Sequence, residues 1–177
     1  TYNMITKYVP RESIHQVSVG HGAGTFNMSL DMALLEPDNE IVYFVEDDYL
    51  HKKDSNQVLL EGFGLGSDFV SLYDHPDKYM ENVNPYVEGG GEATRVFLSK
   101  TCHWKLTNST MTFAARVSKL KQYEDVFRKH TATSHPHDFD MWIALRTHGA
   151  SLITPLPGYS THGETAWLSP LNDWNLC

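Results

Sequence analysis

Residues Ile14 to Val19, Ile-His-Gln-Val-Ser-Val, alternate apolar and polar side chains, the period of a half-buried strand. A turn-prone Gly20-His21-Gly22-Ala23-Gly24 follows. Thr25 is then placed to cap a helix whose Phe26, Leu30, Ala33 and Leu34 recur at helical spacing. Glu36-Pro37-Asp38-Asn39 stops that helix. Ile41 to Val45 is apolar throughout and lacks alternation, which predicts a strand covered on both faces, as in a parallel sheet. Asp54 or Ser55 can cap the next helix, with Val58, Leu59 and Phe63 as its apolar face and three nearby glycines weakening its end. Asp68 to Tyr73 reads as a third strand. Strand, helix, strand, helix, strand predicts an α/β fold with right-handed crossovers.

The pattern changes after Tyr73. Residues Tyr73 to Tyr86 are polar and marked by proline, and Val87 to Glu92 contains three consecutive glycines. Such a stretch reads either as a mobile lid beside a site or as a plain solvated connection. Arg95 to Ser99 and His103 to Thr110 look like two short strands, a small additional hairpin. From Arg116 the period is helical again through Phe127, and a further helix is expected from about Pro136 to His148, stopped by Gly149. Ala150 to Ile153 reads as a last short strand. The tail from Thr154, rich in Pro, Gly and Trp, is expected to wrap over the surface. No repeat, low-complexity run or linker divides the chain, so residues 1–177 read as a single domain.

Composition narrows the functional classes. Of 177 residues, 41% are hydrophobic and 20% charged, ordinary values for a soluble globular protein, and no run approaches the roughly 20 apolar residues of a membrane span. The formal charge of −8 argues against non-specific nucleic-acid binding. An anionic ligand would need a local positive device, such as a metal ion or a helix N-terminus. The N-terminus lacks the apolar centre of a secretory signal. Cys102 and Cys177, the two cysteines, make neither a disulfide framework nor a zinc site, and fit unpaired thiols in a reducing, cytoplasmic setting. Two glycosylation sequons, at Asn27 and Asn108, are of the kind that arise by chance.

Three constellations carry candidate chemistry. Glu46-Asp47-Asp48 follows the Ile41–Val45 strand, at the end where α/β sheets collect ligands. Crowded carboxylates must share protons or bind cations, and Mg²⁺ or Mn²⁺ held this way keeps positions open for phosphate oxygens; an acidic surface turn is the bland alternative. His135-Pro136-His137-Asp138-Phe139-Asp140 puts Asp138 at a helix start, either as a simple cap or as a general base aimed from a rigid element. Its two histidines are a weak zinc signal. His162, between Thr161 and Gly163 in a late glycine-marked loop, could be a ligand or merely a surface histidine. Trp104 and Tyr159 could stack on a sugar or simply pack. Asp74, His75 and Lys78 open the long polar stretch and, in a group-transfer enzyme, are candidates to touch the donor.

Taken together, residues 14 to 165 resemble the GT-A class of nucleotide-sugar-dependent glycosyltransferases, including the small glycosyltransferase domain type encoded by chlorella viruses. Glu46-Asp47-Asp48 is similar to the class's Asp-x-Asp motif, with glutamate first. His137-Asp138 matches the place of its catalytic acidic pair, with histidine where an acid is usual, and His162 stands where a C-terminal histidine reaches the metal. The stretch from Thr110 to Phe127 looks like its acceptor-side strand and helix. The resemblance implies a Rossmann-like GT-A fold, a mostly parallel central sheet flanked by helices. It implies that Asp48 and His162 hold Mn²⁺ or Mg²⁺, that Glu46 and Asp47 bind the nucleotide or complete the metal shell through water, and that Asp138 is the base. The implied partners are a nucleotide-sugar donor, with UDP-sugars favoured, and a glycan or glycoprotein acceptor, in host cytoplasm for a viral protein. The expected reaction is inverting transfer to an acceptor hydroxyl. One departure stands out: folds of this class begin with a base-contacting strand, and residues 1 to 13 read instead as the helix after it. Either that strand precedes residue 1 or the base pocket is built differently. Two other functions remain open on the same residues: a metal-dependent phosphohydrolase, and a catalytically silent sugar-binding or virion-associated module.

Overall fold

The computed structural model describes residues 2–84 and 97–176. In chain order its elements are α1 (Tyr2–Ile5), α2 (Gly22–Ala33), β1 (Ile41–Phe44), β2 (Tyr49–His51), α3 (Ser55–Gly64) and β3 (Phe69–Val70). They continue with β4 (Phe97–Leu98), β5 (His103–Leu106), β6 (Phe113–Arg116), α4 (Val117–Gln122), α5 (Glu124–His130), α6 (Asp138–Thr147), β7 (Leu152–Leu156) and β8 (Ser160–His162). Six strands form one sheet in the order β1-β6-β3-β7-β5-β4, and β2 pairs with β8 in a separate ribbon.

Mixed α/β architecture is therefore present, but the sheet is not mostly parallel. Among the described residues only β3 and β7 run parallel within it; β1–β6, β3–β6, β5–β7 and β4–β5 are antiparallel. The sequence misled for a physical reason. Successive residues of a strand face opposite sides, and both sides of this sheet are covered by helices. Phe69, Phe113 and Leu152 join Phe26 of α2, Phe127 of α5 and Trp142 of α6 in one core. Val70, Ala114 and Ile153, the next residue along each strand, join Val58, Leu59 and Phe63 of α3 in the other. Two-sided burial makes a strand continuously apolar whatever the direction of its neighbours. The first core is chiefly aromatic, with Phe113 and Phe127 stacked at 5.8 Å and Trp142 set edge-on to Phe113 at 4.9 Å. In the second, α3 approaches so closely that a Cβ on Gly62 would stand 2.9 Å from Val70 and from the Trp104 ring.

Other expectations shift. Ile14–Val19 belongs to no strand; an alternating segment needs a partner to satisfy its backbone, and among the described residues the sheet ends at β1. The following helix begins at Gly22, capped by His21, whose Nδ1 accepts the Gly24 N–H, rather than at Thr25. Neither predicted cap of α3 acts as one: Asp54 makes no side-chain capping bond, and Ser55 donates to the Lys52 carbonyl. The predicted hairpin exists as β4–β5, but as the outer pair of the main sheet. The last strand lies slightly later than expected, at β7, and the tail adds β8. Residues Val87 to Glu92, the glycine run of the expected lid, lie outside the described residues, as does Arg95. The tail folds back as expected: Lys52 Nζ donates to Asn172 and lies over the Tyr159 and Trp174 rings. Among the described residues no helix is long and apolar enough to cross a membrane.

Candidate active site

After β1 the chain does not continue extended; it turns at Asp47 and Asp48 and enters β2. Pairing of β2 with β8 sets Tyr49 opposite His162, and the Gly163 N–H donates to the Asp48 carbonyl at 2.7 Å. Close approach is needed here, because a Cβ on Gly163 would stand 2.8 Å from that carbonyl oxygen. The result is that His162 Nε2 lies 3.1 Å from Asp48 Oδ2, across 114 positions of chain. His162 Nδ1 accepts the Glu164 main-chain N–H at 3.0 Å, which leaves the ring proton on Nε2, directed at the Asp48 carboxylate.

Glu46 belongs to the same electrostatic group. Its carboxyl is pushed above the ordinary value by burial first and by the Asp48 charge second; His162 opposes the rise, while Asp138 and Asp47 add to it. Asp138 is the first residue of α6, preceded by His137 as cap. Burial raises its carboxyl as well, against the pull of the Phe139 main-chain N–H and the His75 charge, with Asp77 adding to the rise. Asp140, two residues further into the same turn, is exposed, and its charge is felt at His130. Three segments far apart in sequence, around residues 46–48, 138 and 162, thus share one electrostatic environment.

A row of rings extends from this point. His162 meets Tyr49 at 5.4 Å, Tyr49 meets Tyr73 at 5.2 Å, Tyr73 meets His75 at 5.2 Å, and His75 meets Trp167 at 5.5 Å between centroids. Tyr73 OH donates to the Trp167 carbonyl at 2.6 Å and fixes the far end. At its His75 end the row meets a buried ionic network through Asp77. Lys105 Nζ pairs with Asp74 at 2.6 Å, Tyr79 OH donates to the same carboxylate, and Lys78 Nζ pairs with Asp77 at 2.8 Å. Burial alone would raise the Asp77 carboxyl, but the His75 hydrogen bond and the Lys78 ammonium hold it well below the usual carboxylate range.

Several sequence candidates are corrected. Trp104 is fully buried, with its Nε1–H on Ser99 Oγ, and has no face for a sugar. Tyr159 is half-buried and packs against the α3 core. Asp74 and Lys78, at 0% and 2% exposure, are structural ions rather than ligand contacts. Asn108 is buried and accepts from Asn84, so that sequon is closed in the fold. Tyr49, Tyr73 and Trp167 were not singled out from the sequence; isolated aromatics give no sign of forming a row until strand pairing is known.

The donor set can be tested against the implied Mn²⁺ or Mg²⁺. Asp48 and His162 stand side by side, as two ligands of one ion must, and a hard ion bound by few protein groups keeps positions for waters and phosphate oxygens. Among the described residues no group of three His, Cys, Asp or Glu side chains forms a fuller shell. Binding between Asp48 and His162 would require the ring proton to move from Nε2 to Nδ1, which gives up the Glu164 N–H contact; this is a change of tautomer with no net proton release from the neutral ring. Beside the acids, a cleft of about 770 Å³ runs between α2 and the outer edge of β1, lined by Thr25, Phe26, Ser29 and Met32. Its size is in the range of small-molecule sites. No protein-family model matches the chain, and no curated protein matches its sequence.

Proposed function

We propose that this chain is a metal-dependent glycosyltransferase that moves a sugar from a nucleoside-diphosphate donor, UDP favoured, to an acceptor hydroxyl with inversion. The observation that carries the reading is the convergence of Asp48, His162 and Asp138: one adjacent carboxylate–imidazole pair, and one separate, partly buried carboxylate whose charge is felt in the same acidic cluster. Asp48 and His162 would hold Mn²⁺ or Mg²⁺, which supplies positive charge for the departing diphosphate. Glu46 and Asp47 border that position and would bind the nucleotide or complete the shell through water.

Asp138 supplies the base. The acceptor oxygen forms its bond to the anomeric carbon as the bond from that carbon to the diphosphate oxygen breaks, and the electron pair leaves with the diphosphate. Asp138 takes the proton from the attacking hydroxyl. A carboxylate fixed at a helix start and partly desolvated is suited to this, because burial raises its proton affinity. Asp140 is less suited, being exposed and oriented toward a different electrostatic neighbour.

The test is thermal stabilisation by UDP-sugars with Mn²⁺ and with chelator, combined with assays of donor hydrolysis and phosphate release. Stabilisation by one nucleoside diphosphate sugar, lost on chelation, is expected. Inorganic phosphate from a phosphomonoester would point to a hydrolase, and indifference to every nucleotide would mark a silent module.

A further inference from the structure

His75 stands outside the Asp48, His162 and Asp138 cluster, at the other end of the ring row. Its Nδ1 accepts the Asp77 main-chain N–H at 3.1 Å and lies 2.9 Å from Asp77 Oδ1. Asp77 is itself locked in place: Lys78 Nζ donates to it at 2.8 Å, Ser109 Oγ at 2.6 Å and Asn84 Nδ2 at 2.8 Å, all within the interior. An Nδ1 that accepts this N–H has no proton to give Oδ1, so the ring is oriented by the main-chain contact, and the locked Asp77 keeps that N–H in place. With Nδ1 committed to Asp77, Nε2 is the ring nitrogen left for another group. The side chain is 21% exposed, Trp167 flanks it at 5.5 Å, and it lies near enough to Asp138 to influence that carboxyl.

We propose that His75, oriented by Asp77, is an acceptor-binding residue whose Nε2 hydrogen-bonds a hydroxyl of the acceptor sugar while the half-buried Trp167 indole carries the sugar's apolar face. The inference rests on the glycosyl-transfer reading and deepens it. A pyranose presents a rim of hydroxyls and a face of C–H groups, and an oriented ring nitrogen beside an aromatic face matches both. A phosphorylated ligand would call for free cations at this end, but the two nearby lysines are spent: Lys78 on Asp77 and Lys105 on Asp74. The row then has two ends, with the diphosphate at Asp48 and His162, the acceptor at His75 and Trp167, and Asp138 electrostatically in reach of both.

Two substitutions at His75 separate its roles. His75→Asn keeps an acceptor for the Asp77 N–H but removes the group at Nε2, whereas His75→Gln places an amide near Nε2. Transfer to simple methyl glycosides and donor hydrolysis without acceptor are measured for both, and for Trp167→Leu. His75→Asn is expected to raise the acceptor KM roughly three- to tenfold, the range for losing one hydrogen bond. Donor hydrolysis should fall by less than transfer does, His75→Gln should recover part of the loss, and Trp167→Leu should raise the same KM. Parallel losses of transfer and donor hydrolysis would overturn the assignment. A readout independent of turnover is titration of the wild-type protein with methyl glycosides, following the His75 imidazole and Trp167 indole resonances. Shifts at both support the assignment, and saturating sugar that moves neither removes it. A wild-type protein that turns over no nucleotide sugar would sink the glycosyl-transfer reading, while the sugar titration would still decide the question of His75.

Discussion

The Asp138 carboxyl is raised above the ordinary aspartate value because α6 presents it at a partly buried position, where its charge is less well hydrated. The sign of the consequence is definite. A base works ionised, so a raised value moves the loss of activity to higher pH than the ~3.9 of a free aspartate would give. The acid limb of kcat/KM is expected above that value, and Asp138→Asn should lower turnover by about 10²–10⁴-fold while nucleotide binding persists in calorimetry. Near-full activity in that variant would transfer the role to Asp140. At the same scale, His162 shows why a single histidine is unreadable in isolation. Its meaning comes from Asp48, which meets it only because β8 pairs with β2 and Gly163 lets the two backbones touch.

At the scale of elements, the segment from Tyr73 to Asn84 is pinned by charge rather than by apolar packing. Lys78, 2% exposed, is paired with Asp77 and bonded to Ser109, and removal of one partner from such a buried pair costs about 3–5 kcal/mol. The Asp77 carboxyl is depressed in the fold, so its contribution is present above the ~3.9 of the unfolded chain. It is lost as pH falls from there toward the folded value. Thermal melts from about pH 5 down to about pH 2 should therefore show Tm falling most steeply below about pH 4 for the wild type. Asp77→Asn should be less stable at neutral pH and show a shallower acid slope; an unchanged slope would remove Asp77 from the account.

For the whole molecule, the open side of the sheet is the feature with the clearest consequence. The Val117 N–H donates to the Glu40 carbonyl, and alternation along an antiparallel pair then turns the backbone groups of Val42 and Phe44 toward β6. Those of Ile41, Tyr43 and Val45 face the cleft beside α2. Hydrogen exchange should find the Val42 and Phe44 amides protected and those of Tyr43 and Val45 exchanging faster; equal protection along 41–45 would mean that another strand lies there in solution.

Much was legible without coordinates. Residues Phe26, Leu30 and Ala33 carried the helical period of α2, the apolar run at Ile41 marked β1, and Glu46-Asp47-Asp48 announced a cluster of charge that needs a counterpart. The excess of acids over bases and the helix start at Asp138 were legible too, since these depend on residue type and local spacing. Strand direction was not, because helices on both faces make parallel and antiparallel strands equally apolar. Trp104 and Trp167 looked alike as letters, yet one fills the α3 core and the other edges a row of rings. Local chemistry follows from the chain itself, whereas direction, partner and exposure are set by contacts between residues a hundred positions apart, and those exist only once the sheet has formed.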